Sequence, residues 1–179
     1  MGYALTALVI LALFHLVYES ILAPSFRTHL RLELFALRDE LRKLKINRRS
    51  SFDDRHFSYL QDAVNSLIAF GHGFDGAMLA AVENEFRRDR QFRDKVESRS
   101  RVLDDCLVSE AKAIRQKSVG VAARLLLVNS GALFVLVAPC VLCMIGIKEA
   151  RSRLRTVASL SEHEIRKISG PSSTETALT

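Results

Sequence analysis

Residues 3–23 read YALTALVILALFHLVYESILA, a run of 21 positions in which Glu19 is the one formally charged residue. At about 1.5 Å per residue an α-helix of this length rises roughly 31 Å, enough to cross the hydrocarbon core of a bilayer. The run therefore predicts a transmembrane helix, ended by Pro24 and Ser25. A cleaved signal peptide would carry a basic leader, and cleavage after Ala23 would leave Pro24 at the new terminus. Neither fits. Met1-Gly2 followed by Thr6 matches the letters of a myristoylation site, but Gly2 opens directly into the apolar run, so an uncleaved anchor is the simpler reading.

A second run, 125–147, contains 23 residues without a charge and is bracketed by Arg124 and Lys148. It predicts a second transmembrane helix, kinked at Pro139 because neighbouring helices can satisfy the carbonyl that a proline frees. Cys140 and Cys143 have CxxC spacing, yet in an apolar helix they read as small packing residues. With Cys106 as the third cysteine, no even-numbered disulfide framework is visible.

Between the spans, residues 24–124 hold 20 Lys+Arg and 15 Asp+Glu, with three glycines and no proline from 25 to 119. Such a segment leaves little room for a turn-rich β domain or a Gly-rich nucleotide loop. Two Gly- and Pro-free arms, 26–70 and 77–119, flank Gly71-His72-Gly73-Phe74-Asp75-Gly76. They predict a helical hairpin turning at 71–76, or a three-helix region if the first arm breaks near 47–54. At that break Ser50 or Ser51 is the expected cap, and Asp53 and Asp54 suit the positive end of the next helix. The fold class is all-α: an integral membrane protein with two spans joined by a long helical region.

Leu30, Leu34, Leu37, Leu41 and Leu44 recur at alternating steps of four and three, the a/d seam of a coiled coil. With Leu34 and Leu41 at a, Glu33 and Glu40 fall at g, and Arg38 and Lys45 at the e positions that they would meet in a parallel dimer. The stripe predicts self-association, against the plainer reading that it packs on the chain's own later helices. Farther on, 148–168 forms a basic amphipathic segment with Leu154, Val157, Ile165 and Ile168 on one face, suited to a lipid surface. Residues 169–179 read as a disordered tail.

Lys and Arg near the spans set the orientation. Nine lie in the middle segment (Arg27, Arg31, Arg38, Arg42, Lys43, Lys112, Arg115, Lys117 and Arg124), none before the first span, and six follow the second. The majority places the middle segment in the cytoplasm and both termini opposite, in a multi-pass protein of a membrane that the sequence does not name.

Chemistry is sparse. No Walker loop, GxSxG elbow, HExxH or paired CxxC occurs. Asp53, Asp54, His56, His72 and Asp75 match no metal signature and read as caps and turn residues. The reading is a non-enzyme with no cofactor and no metal site. The formal charge of +6 gathers beside apolar runs, where it suits anionic lipid better than nucleic acid. What stands out is a polar track at the loop-side membrane boundary: Glu19 and Arg124 at equal depth and able to pair, with His15 and Asn129 one turn deeper. The function expected is an oligomerising membrane anchor or interaction module, bound to the lipid bilayer, to its own copies and to a protein partner on the helical region. The alternative is a subunit of a small oligomeric ion-conducting or permeabilising pore lined by that track.

Overall fold

The structure, a computed structural model, describes residues 2–48, 52–131, 152 and 154–169, without the side chains of Lys167 and Ser169. All regular elements among them are helical. The first is a single rod from Gly2 to Asn47, 46 residues long. It comprises α1 (Gly2–Val17), a π-helical turn (Tyr18–Leu22) and α2 (Ala23–Asn47). Pro24 does not end the helix as expected. The wider turn before it has Ala23 N–H bonded to Tyr18 O, five residues back. That extra residue makes room for a ring that would otherwise press on the preceding turn, so the rod continues.

The two parts of the rod have opposite environments. Nothing in α1 is buried, and apolar residues cover it on all sides: Tyr3, Leu5, Leu8, Val9, Ile10, Leu13 and Phe14 are each more than half exposed. α2 instead buries one stripe, and that stripe is Leu30, Leu34, Leu37, Leu41 and Leu44. Its partners belong to the same chain. α6 (Ser109–Asn129) and α3 (Asp54–Phe70) pack along it, and the leucines join Leu60, Leu67, Ile114, Val121 and Leu125 in one core.

α6 runs antiparallel to α2, as the flanking polar pairs show. Arg48 meets Glu110, Glu40 meets Lys117 at 3.1 Å, Glu33 meets Arg124 at 2.7 Å, and Arg27 meets Asn129 at 2.8 Å. Glu33 and Glu40 stand seven residues apart, as do Lys117 and Arg124, so one heptad step on each helix brings the next pair into register. Glu33 and Glu40, the g positions of the expected parallel dimer, are thus engaged within the chain, and Lys45 reaches Asp54 and the Phe52 carbonyl.

After the α2–α3 corner, the N-cap of α3 is Asp53, whose carboxylate accepts from Arg55 N–H, rather than Ser50 or Ser51. A short 3₁₀ turn, Gly71–Gly73, leads to α4 (Gly76–Arg88), capped by Asp75 through Met78 N–H at 2.9 Å. The second arm breaks again. Asp89 leaves helical geometry to cap α5 (Arg90–Asp104) through Phe92 N–H, and Phe86 and Phe92 meet edge to face across the corner at 5.6 Å. A 43-residue helix would strand the apolar side of 92–103 away from the core. Folding at Asp89 buries Phe92, Val96 and Leu103.

Two features bear on the expected second span. α6 passes the anticipated boundary at 124/125 without interruption, and Leu125 and Leu126 are buried in the helical body, Leu125 against Gly71. The rest of the run, with Pro139, Cys140 and Cys143, lies outside the described residues, as does most of the expected disordered tail. Beyond the run, Val157, Ala158, Leu160 and Ile165 are buried in the same core, and α7 (Glu162–Ser169) packs on α3 and α4. The apolar face of 148–168, expected on lipid, is instead used on the protein.

Replacing Leu41, fully buried at the centre of the stripe, by Ala is expected to cost about 2–5 kcal/mol in denaturant unfolding, through lost burial and the cavity left behind. Glu40→Ala removes only a half-exposed ion pair and should cost less than about 1 kcal/mol. Equal effects would mean that the seam is not the core.

Candidate functional site

The junction between the bare apolar helix and the helical body is built around Asn129, the last residue of α6. Its amide nitrogen donates to Gly71 O at 2.6 Å and to Phe74 O at 3.1 Å, and its amide oxygen accepts from Arg27 Nε at 2.8 Å. One side chain therefore ties α2, α6 and the α3–α4 turn together. The Gly71 carbonyl also takes Phe74 N–H at 3.4 Å, so Asn129 adds a second, shorter donor there and reaches the Phe74 carbonyl beside it. Nearby, Tyr18 donates its hydroxyl to Val128 O at 3.3 Å, joining the π turn to the end of α6. Gly131 follows with φ +82°, the left-handed conformation that commonly closes a helix and that a side chain resists. A Cβ there would stand 3.4 Å from Glu19 Oε1, so Glu19 lies against this helix end.

The structure brings together only part of the expected polar track. Arg124 pairs with Glu33, five residues before α6 reaches Arg27 through Asn129, and also donates to the Gly120 carbonyl. Glu19–Arg124, the pairing expected from equal depth, is not formed. The π turn and the slope of α6 set Glu19 beside Gly131, about two helical turns beyond Arg124. His15 is exposed on α1, apart from the cluster. Sequence reasoning missed Arg27, Tyr18 and Glu33. The matched seven-residue spacings of Glu33/Glu40 and Lys117/Arg124 were the available signal.

A second charged cluster holds α7. Glu164, almost wholly buried, accepts at one oxygen from Ser161 N–H at 2.8 Å and Arg99 Nη1 at 3.0 Å, and its other oxygen forms an ion pair with Lys95 Nζ at 3.4 Å. Arg99 also donates to Ser159 O and lies over the Tyr59 ring, 5.0 Å from its centroid. Burial pushes the Glu164 carboxyl up, but Ser161, Arg99 and Lys95 together outweigh it and hold it below the usual glutamate range. Asp62 moves the other way: burial raises it, Arg99 opposes, and Glu164 adds to the rise. A neighbouring group, Asp104 between Arg115 and Arg155, links α5 and α6 to the chain beyond the second apolar run.

Among the described residues no group of three or more His, Cys, Asp or Glu could hold a metal ion. What the arrangement does is mechanical: the Asn129 cluster fixes the direction in which α1 leaves the body, and the Glu164 cluster fastens the C-terminal helix to it. Compared with known protein families, curated proteins and solved structures, the chain matches none.

Asn129→Ala removes the amide donor to Phe74 O and the shorter of two donors to Gly71 O, and with them the acceptor of Arg27 Nε, and is expected to cost about 1–3 kcal/mol in thermal or denaturant unfolding, with faster amide exchange at 71–76. Acid should act on α7 with two signs. Asp62, raised in the folded protein, makes docking tighter as it takes up its proton. Glu164, lowered, contributes docking that is fully present above the ordinary glutamate range and is lost as pH falls through its folded value. Protection factors of the 162–169 amides, followed from pH 7 downward, should rise slightly and then fall. Asp62→Asn should remove the rise, and Glu164→Gln the fall.

Proposed function

We propose that the chain is a membrane-anchored helical interaction module. The observation that carries this reading is the contrast within one rod: α1 is apolar all round and wholly unburied, whereas α2, continuous with it, is half buried in a body whose outer faces are charged. A helix that is apolar on every side needs an apolar surround, and the rest of the described chain does not provide one. A bilayer does. The polar joint at Tyr18, Arg27 and Asn129 then stands at the headgroup level, where tyrosine and arginine are favoured. The body projects along α2, whose 25 residues rise about 38 Å, and carries the strongly exposed Ile46 and Leu107 at its far end beside the Arg48–Glu110 pair.

Interaction, rather than catalysis, fits a body with charged faces and an apolar tip. Self-association belongs to the same proposal, carried by α1 or by that tip, since the leucine stripe is occupied inside the chain. A conducting pore draws less support from the geometry, because Arg124 and Asn129 are committed to Glu33, Arg27 and two backbone carbonyls.

Leu8→Lys with Leu11→Lys places two charges at the middle of α1, each costing about 2.5–3.5 kcal/mol to insert. The double variant should appear in the alkaline-soluble fraction with its helical content unchanged, since no residue of α1 is buried against the body. Retention of that variant in alkali-washed membranes would overturn α1 as the anchor. Mass measured in mild detergent tests self-association: a defined oligomer is expected, and a monomer removes that part of the reading.

A further inference from the structure

We infer that the chain crosses the membrane once, through α1, and that the second apolar run begins and ends on the side of the helical body. The inference rests on α1 being the anchor, and it replaces the two-span topology that hydropathy alone suggests.

Its basis is where the chain lies on either side of that run. Before it, α6 ends in the Asn129 cluster, tied to α2 and to the 71–74 turn. After it, Val157, Ala158 and Leu160 are buried in the same core as the α2 leucines, and Ile165 is 2% exposed. Glu164 is held by Lys95 and Arg99 of α5, and Arg166 lies over the Phe70 ring of α3. A side chain buried among α3, α4 and α5 cannot be parted from them by a bilayer. Residues 154–169 and residues 24–131 are therefore on one side, and the chain between them crosses an even number of times.

Two crossings do not fit. Only helices satisfy the backbone of a lone segment within lipid, and two helical passes through a core of about 30 Å take about 40 residues. The interval 132–151 has 20. It must also travel back along the body. Arg155 reaches Asp104, which is bonded to Arg115. Arg115 lies 14 residues before Asn129 in α6, a rise of about 21 Å away from the joint. A helical path of 20 residues is about 30 Å long, most of it needed for that return. The even number is zero. The described residues before and after the run, 24–131 and 154–169, are thus on one side of the membrane.

Full-length protein in sealed vesicles, with Cys106, Cys140 and Cys143 replaced by Ala, tests this by labelling single introduced cysteines with a membrane-impermeant maleimide. The positions are Tyr3→Cys on α1, Asp105→Cys between α5 and α6, and Glu162→Cys on α7. Asp105→Cys and Glu162→Cys should label together, and Tyr3→Cys in the opposite condition, before or after permeabilisation. Glu162→Cys siding with Tyr3→Cys and against Asp105→Cys would overturn the inference while leaving α1 as an anchor. All three labelling alike would mean that nothing crosses, which overturns both. A second pair, Gln91→Cys and Ser152→Cys, must agree with the first, so that a local disturbance at one site does not decide the result.

Discussion

The antiparallel packing of α2 on α6 decides what every other part of the molecule is free to do. Five leucines at alternating steps of four and three form one side of it, and Ile114, Val121, Leu125 and their neighbours form the other. Charges at the rim, Glu33 with Arg124 and Glu40 with Lys117, add little energy each because they are substantially exposed. Their value is in register. Slipping α6 by half a heptad would draw Glu33 and Glu40 away from Arg124 and Lys117, so the ion pairs choose among registers that the leucines alone would tolerate. Once α6 is fixed, its last turn delivers Asn129 to the 71–74 carbonyls, and the α3–α4 turn is fixed in consequence.

Much of this was readable from residue spacing, and the failures have physical causes. The leucine stripe, the turn at 71–76 and a break between 47 and 54 follow from helical periodicity and from where Gly and capping residues sit. The partner of the stripe does not. An a/d seam specifies that something apolar must face it, and a monomer core and a dimer interface present the same surface to the chain. Pro24 misled for another reason: proline usually stops a helix, but a π turn one residue earlier changes the local geometry enough to absorb it. Asp89 was hidden among alternating charges, where an aspartate that caps a helix and one that lies on its side look alike. Glu19 and Arg124 were placed at equal depth by counting from the ends of the apolar runs, whereas the packed helices put Glu19 against Gly131. In the candidate site, Asn129 was legible because a polar amide inside an apolar run must find partners. Arg27 was not, since one arginine among many on a basic helix carries no mark.

Hydropathy predicted a span in each of the two apolar runs, although their surroundings differ. α1 leaves the body, and among the described residues nothing covers it. The second run starts as the buried end of α6 and is followed by a segment whose own apolar residues are needed in the core. Composition records how apolar a segment is and says nothing about which other residues it must remain close to. Tertiary contact supplies that second constraint, and here it restricts topology more tightly than the span length does.

The unbroken rod through Tyr18–Leu22 makes the protein a lever. Seated in a bilayer as proposed, α1 offers 16 residues, a rise of about 24 Å, which is shorter than a typical hydrocarbon core, so the mismatch is met by local thinning of the bilayer, while the tilt of α1 is set by the groups that anchor and pack its end. Because Pro24 is absorbed and not hinged, and because Tyr18 and Asn129 clamp the joint, that tilt is passed to α2. A change of about 10° in α1 moves the far end of α2 sideways by roughly 6–7 Å. Ile46 and Leu107 are carried with it. The position of the far end of the body thus follows the tilt of α1.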